Sequence, residues 1–343
     1  MSRRSLTLAI AGLATVVAIA VAVLLPVPYV ILGPGPTLNT LGKSSGQPLI
    51  TISGHPTYKT TGNLNLVTVS YQGGPGSNMN IFQALRAWVD PSEAVVPETE
   101  LFPAGQSAQQ TQAQDTEEMT GSQQMATAAA LTELHIPYQT VVSVVSTVPG
   151  YPASKALKAG DVIEAVDGKS VDGQTSLSSM ITSHPVGTVL SLKVVRAGQT
   201  LTIPVASKSS AGTAVIGVDV QEQYKFPFTV SISVGEIGGP SAGMMFALGI
   251  IDKLTPLNLT GGKFIAGTGE ITASGQVQPI GGIQQKMVGA RSAGATIFLT
   301  PAGNCSDTTG AVPAGLRLVK VSTLSQAVSD LEAIKAGKPV PAC

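Results

Sequence analysis

One serine and one lysine stand in settings suited to acyl transfer. In FPFTVSISVGEIGGPSAGMMFALGIIDKL, Ser241 follows Gly238-Gly239-Pro240, and Ala242-Gly243 leads from it into the apolar run MMFALGII. A strand, a glycine-rich turn and a helix therefore place Ser241 near a helix N-terminus, where proline fits and free N–H groups can hold an anion. A serine there is equally suited to capping the helix. The second segment, GTGEITASGQVQPIGGIQQKMVGARSAGA, carries Lys286 on a helix expected from Ile283. Ile283, Met287 and Ala290 make an apolar stripe beside it. A lysine in an apolar wall loses proton affinity and can then act as a base toward a serine hydroxyl. Read alone, Lys286 is equally a surface lysine, with Gln284 and Gln285 marking a wet face.

Other chemistries fit less well. The three histidines, His55, His135 and His184, all precede this region, so a Ser-His-Asp triad has no histidine close to Ser241 in sequence. There is no HExxH motif, and neither Cys305 nor Cys343 has a nearby histidine, so no metal or other cofactor is expected. A net charge of zero, from 20 basic and 20 acidic residues, gives no electrostatic footprint for nucleic acid.

The elements that must hold the two residues can be read from pattern. Phe228, Val230, Ile232 and Val234 alternate as in a half-buried strand. AGATIFLTPAGNC reads as a strand followed by a loop, and GLRLVKVSTLSQAVSDL as a strand then a helix. Upstream, 49–54 and 64–71 read as two short strands with a turn at Thr61-Gly62-Asn63, and 81–89 as a short helix. Gln-, Ser- and Ala-rich 105–114 reads as a mobile loop. From Thr116 the spacing of Met119, Met125, Ala129 and Leu134 predicts a helix.

Leu6–Leu25 is apolar throughout, and no charge occurs between Arg4 and Lys43. Such a run spans a bilayer core of about 30 Å. Arg3-Arg4 ahead of it places the N-terminus in the cytoplasm and the remainder outside. The competing reading is a cleaved signal peptide, but the run ends in Leu-Leu-Pro-Val-Pro-Tyr, a poor cleavage site. Outside the cell, Cys305 and Cys343 are expected to pair; two free thiols are the alternative.

Two resemblances complete the reading. VVSVVSTVPGYPASKALKAGDVIEAVDGKSV, with Gly150, Pro152, Gly160, Asp161, Asp167 and Gly168, resembles a PDZ domain of bacterial secreted proteases. That implies a core including Leu157, Val162, Ile163 and Val166, a helix over about 177–183, and strands at 189–196 and 200–205. Peptide binding by strand addition is then implied, a blocked groove being the alternative. GGPSAG before an apolar helix, then GTGEIT, then PIGGIQQK, is similar to the proteolytic domain of Lon peptidases. The resemblance implies that Ser241 is the nucleophile and Lys286 its general base. Thr268 would hydrogen-bond the lysine, the family glutamate falls on Glu270, and Gly239, Pro240 and Ala242 support the serine. PYVILGPGP after the apolar run extends the resemblance to membrane-anchored, PDZ-containing Lon-like proteases of Gram-positive bacteria.

The expected fold class is α+β: an N-terminal transmembrane helix, a PDZ-like β-rich domain and a Lon-type α/β proteolytic domain. The expected boundaries are a tail at 1–5, an anchor at 6–30 and an N-terminal extracytoplasmic region at 31–135. The PDZ domain follows at 136–207 and the proteolytic domain at 208–343, with the PDZ unit interrupting the protease fold. Lon proper has Asp where Gly238 stands. The nearest phosphate-loop mimics, Gly42-Lys43-Ser44 and Gly168-Lys169-Ser170, lack the earlier glycine and have Thr37 and Ile163 in its place. The expectation is an ATP-independent, membrane-anchored serine endopeptidase acting on extracytoplasmic proteins or peptides. No nucleic acid or ATP partner is expected, and Lon-type domains suggest a homo-oligomer. An inactive membrane-tethered peptide-binding scaffold is the competing class.

Overall fold

The computed structural model describes residues 3–343 except 45, 78 and 104, so Met1 and Ser2 of the expected tail lie outside the described residues. Arg3–Leu24 form one helix, α1, long and apolar enough to cross a membrane. It stops short of the expected boundary at 30. Pro26 and Pro28 lack the N–H a helix needs, and a strand already begins at Tyr29.

The elements then run as follows: β1 (Tyr29–Asn39), β2 (Ile50–Ser53), β3 (Asn63–Gly73), α2 (Ile81–Val89), β4 (Ala94–Pro97) and α3 (Ala108–Glu133). Next come β5 (Gln139–Thr147), β6 (Val162–Val166), α4 (Gln174–Thr182), β7 (Val189–Arg196), β8 (Gln199–Ala206) and β9 (Val218–Lys225). The chain continues with β10 (Thr229–Ile232), α5 (Gly243–Leu254) and β11 (Phe264–Gly267). It ends in α6 (Ile283–Ser292), β12 (Ile297–Pro301), β13 (Arg317–Val321) and α7 (Leu324–Lys335).

Two expectations need correction. Residues 105–114 are not a loop throughout, because α3 starts at Ala108. Ser107 and Gln110 form a reciprocal capping box there, and the Gln- and Ala-rich stretch is made of good helix formers. That first turn lies on the surface, so it carries no apolar period to read. The strands near 50 and 64 do not pair with each other: β2 pairs with β10, and β3 lies between β1 and β11.

The chain divides into two compact units: Met1–Ile136 with Phe228–Cys343, and Pro137–Pro227. The first is built on a mixed six-stranded sheet in the order β13-β12-β11-β3-β1-β4. β13, β12, β11 and β3 are mutually parallel, while β1 runs antiparallel to both β3 and β4. Residues from both flanks of the middle unit thus interleave in one sheet, with Phe264–Gly267 in register with Asn63–Leu66. The apolar α5 is buried nearly all round, including Met244, Phe246, Leu248 and Ile250. Cys305 and Cys343 are joined by a disulfide, with Cα atoms 5.1 Å apart.

The second unit is a sheet in the order β8-β7-β6-β5-β9. The expected boundary at 207 falls short, because β9 pairs with β5 along its length, from Val218 opposite Thr147 to Lys225 opposite Gln139. Without β9 the sheet would lose its last strand. Leu157, Ile163 and Val166 are buried in its core with Leu177 and Leu192, whereas Val162 is half-buried. Asp167 and Gly168 both have positive φ (49° and 80°), as a tight hairpin turn of the primed kind requires. Between α4 and the start of β9 lies a hollow of ≈ 360 Å³, floored by Leu177, Ile181, Ile216, Val218 and Val220.

Candidate active site

Three elements of the first unit converge on one point. α5 brings Ser241, which precedes its first residue. β11 ends one residue before Thr268. α6 carries Lys286 one turn in, where the Lys286 N–H closes onto the carbonyl of Gly282 at 3.0 Å. Gly282 caps α6 with φ 67°, and a Cβ there would fall 2.6 Å from Val69 Cγ2. Only glycine lets the helix start so close to β3. Gly243 does the same for α5, since a Cβ would meet Ile271 Cγ2 at 2.8 Å and Ser122 Oγ at 3.1 Å. Asn304 fixes the loop before α6 from below: its side chain accepts from Ile280 N and donates to Ile280 O, both at 2.9 Å.

Lys286 Nζ lies 2.6 Å from Ser241 Oγ and donates to Thr268 Oγ1 at 3.1 Å. Thr268 Oγ1 donates its own proton to the Ser241 carbonyl at 2.9 Å, and the Gly269 N–H donates to the same oxygen at 2.8 Å. The threonine hydroxyl is therefore left as an acceptor toward the lysine. A neutral amine that spends one N–H on Thr268 has its lone pair free to turn toward Ser241. Lys286 is 3% exposed, so the surface reading of its helix face does not hold. Gln285 is buried too, and Gln284 alone of the pair is exposed. Burial lowers the lysine from 10.5 to about 8, against a smaller opposing pull from the carboxylate of Glu270.

Ser241 opens onto a cleft of ≈ 530 Å³. One wall is apolar, from Val67, Val69, Tyr71, Leu101 and Phe102; the other carries Asp115, Glu236 and Glu270. Burial raises both Asp115 and Glu270 above the usual carboxylate range, and repulsion from Glu118 adds to each. Asp115, Ser122 and Asn304 were not singled out in the sequence. Asp115 O accepts from Gly239 N at 3.0 Å, and Ser122 Oγ donates to Pro240 O at 2.8 Å, so α3 holds the turn before the serine from one side. A Cβ at Gly238 would fall 2.5 Å from Asp115 Cβ, so glycine at 238 is what lets α3 approach the turn this closely. Nothing in the local pattern marks a residue 126 positions upstream of Ser241 as its neighbour.

The Thr268 contacts carry a test. Thr268→Val keeps the shape and removes both hydrogen bonds. It should lower kcat by roughly 10–100-fold, about 1.4–2.7 kcal/mol. The ammonium would lose an acceptor, so the midpoint of the kcat–pH curve should move to lower pH. Thr268→Ser should restore both quantities. An unchanged kcat in Thr268→Val would show that the lysine needs no such support.

Residues 207–333 match the family model of the Lon protease (S16) C-terminal proteolytic domain, and residues 112–206 that of the PDZ domain. The chain is 37% identical over 103 residues to Lon protease 2 of Herpetosiphon aurantiacus, covering 29% of this chain and 12% of that protein. It is 31% identical over 119 residues to Lon protease 1 of Bacillus subtilis, covering 33% of this chain and 15% of that protein. The chain thus spans less than a sixth of the length of these relatives. Among solved structures, the PDZ domain of an SdrC-like protein of Listeria innocua is 27% identical, with a TM-score of 0.23 over 23% of this chain and 92% of that one. The PDZ match begins inside α3, whereas the compact unit begins at Pro137.

Proposed function

We propose that this chain, which carries a Lon-type C-terminal proteolytic domain and a PDZ domain, is an ATP-independent serine endopeptidase held at the cell membrane by α1. Its nucleophile is Ser241 and its general base Lys286. The observation that carries this is the 2.6 Å contact between Ser241 Oγ and a buried lysine whose proton affinity is lowered toward the working range. Neutral Lys286 takes the serine proton as Oγ attacks the scissile carbonyl. The amides of Gly239, Gly243 and Met244 are already bonded within the protein, and this reading gives the oxyanion to those of Ser241 and Ala242 beside the nucleophile. One such donor is worth about 2.7–4 kcal/mol. Lys286 then gives its proton to the leaving amine. A water activated by the same lysine attacks the acyl-enzyme, and Ser241 regains its hydroxyl proton. A fluorophosphonate probe should label the wild-type chain and fail to label Ser241→Ala. Equal labelling of both would count against Ser241 as the nucleophile and favour an inactive scaffold.

With Arg3 and Arg4 at the N-terminal end of α1, the reading places the tail in the cytoplasm and the protease outside, acting on exposed loops, unfolded segments or peptides. The PDZ unit selects substrates: the hollow between α4 and β9 is apolar, and β9 ends its sheet with one strand neighbour, as strand addition requires. Replacing 137–227 by a flexible joint should reduce cleavage of protein substrates and spare that of short peptides, as seen by parallel assays on a folded variant. Equal loss on both would argue against this division of labour.

A further inference from the structure

α2 reverses the usual arrangement of a surface helix. Its buried residues are the small Ala84 and Ala87, at 6% and 0% exposure. Its large apolar residues point outward: Phe82 is 47% exposed, Leu85 46%, Trp88 78% and Val89 82%. At about 100° per residue these four side chains fill an arc of roughly 120°, where a water-facing helix carries polar groups. Gln83 and Arg86 border that arc, and Arg86 is occupied by an ion pair with Glu93 at 2.9 Å. An unbroken apolar face of this kind marks an interaction surface.

What covers it follows from where it lies. Pro26, two residues past the end of α1, forms a β-bridge with Asn80, the N-cap of α2, and Val27 N donates to Met79 O at 2.8 Å. α1 and α2 also touch each other. The first turn of α2 is therefore pinned at the end of the apolar span, where Leu24 and Leu25 are themselves 78% and 58% exposed. We infer that α2 is an interfacial helix, lying in the headgroup–acyl boundary of the bilayer that α1 crosses, with Phe82, Leu85, Trp88 and Val89 sunk among the acyl chains. Helices of this type bury their apolar face by about 5–10 Å, and tryptophan is enriched at that depth. Nine residues, about 13 Å, would bind a vesicle weakly alone. The attached span makes the contact intramolecular and so removes most of that cost. A second copy of the chain would have to displace lipid at the foot of α1 to reach the same face. With α2 docked, the catalytic unit rests on the membrane surface instead of swinging from residues 25–28.

This inference rests on the reading of α1 as a membrane span, and the experiment separates the two. Trp88 is the single tryptophan of the chain. The full chain is reconstituted into phosphatidylcholine–phosphatidylglycerol vesicles. Flotation in alkaline carbonate reports on α1. Trp88 fluorescence, with brominated acyl chains and aqueous acrylamide as quenchers, reports on α2. The expected result is flotation, a blue-shifted emission, strong quenching by bromolipid and weak quenching by acrylamide. Leu85→Glu with Val89→Glu should keep flotation and melting behaviour while the acrylamide quenching constant rises several-fold. Flotation with Trp88 open to acrylamide and untouched by bromolipid would overturn the inference and leave the anchor standing. Flotation with Trp88 shielded from both quenchers would also overturn it, in favour of a protein cover such as a second copy. Loss of the wild-type chain from the floated fraction would remove the anchor and this inference together.

Discussion

Ser241→Ala, Lys286→Ala and Lys286→Arg should each reduce turnover by roughly 10⁴-fold or more, and Ser241→Ala with Lys286→Ala should do little further harm. The two side chains meet at 2.6 Å and pass one proton between them in the proposed reaction, so removing either removes the whole unit. Lys286→Arg is the sharpest member of the series. It keeps the positive charge and lengthens the side chain, but guanidinium does not give up its proton in proteins, so no base remains. Its bulk must also fit a site where the native side chain is 3% exposed, so melting and circular dichroism accompany the assay. The measurement is kcat/KM on a fluorogenic peptide together with active-site labelling. A folded Lys286→Arg with substantial activity would refute the lysine base and require another partner for Ser241.

How much of this was legible beforehand differs by element. The strand–turn–helix around Ser241 and the glycine-led helix of Lys286 were readable because they are local patterns, while the PDZ and Lon-type domains were implied by the resemblance of their motifs. The apolar period of residues 283, 287 and 290 left Lys286 open to either reading, because Gln284 and Gln285 suggested a wet face; Gln285 proves buried with the lysine. Long-range pairings left no local trace. β3 reads as a strand, yet nothing in it says that its partner is β11, some 200 residues later. β9 alternates half-buried and exposed residues and went unassigned, because its exposed positions carry Asp219, Gln221 and Gln223 and its place at the sheet end is set by β5. Asp115 falls between the 105–114 stretch read as a loop and the helix read from Thr116; its place at the cleft arises only when α3 packs beside the turn before Ser241. The span of α1 was plain from its composition, while the outward apolar face of α2 became visible only once Ala84 and Ala87 were seen to be the buried side.

Activity should rise about tenfold between pH 7 and pH 9, because only neutral Lys286 accepts the serine proton and burial brings its pKa to about 8. The same burial leaves a signature in stability, of the same sign and at higher pH. The folded-state pKa lies below the 10.5 of an exposed lysine, so between about 8 and 10.5 the unfolded chain binds more protons than the native one. Stability therefore increases with pH through that window. Below pH 8 both states carry the charge, and the native state bears the full cost of holding it in an apolar wall. Lys286→Met, similar in length and without charge, should relieve that cost while abolishing catalysis. The gain at pH 7 should be of the order of 3 kcal/mol, diminished where Glu270 loses its partner. It should shrink toward zero by pH 10.5, where native Lys286 is neutral and the unfolded chain's lysine is only half charged. Urea unfolding of both proteins at pH 7, 9 and 10.5, alongside the wild-type kcat/KM profile, tests the two halves together. A flat rate between pH 7 and 9 with no stabilisation in Lys286→Met would mean that the amine is not held in an environment that disfavours its charge, and the base at Ser241 would have to be sought elsewhere in the cleft.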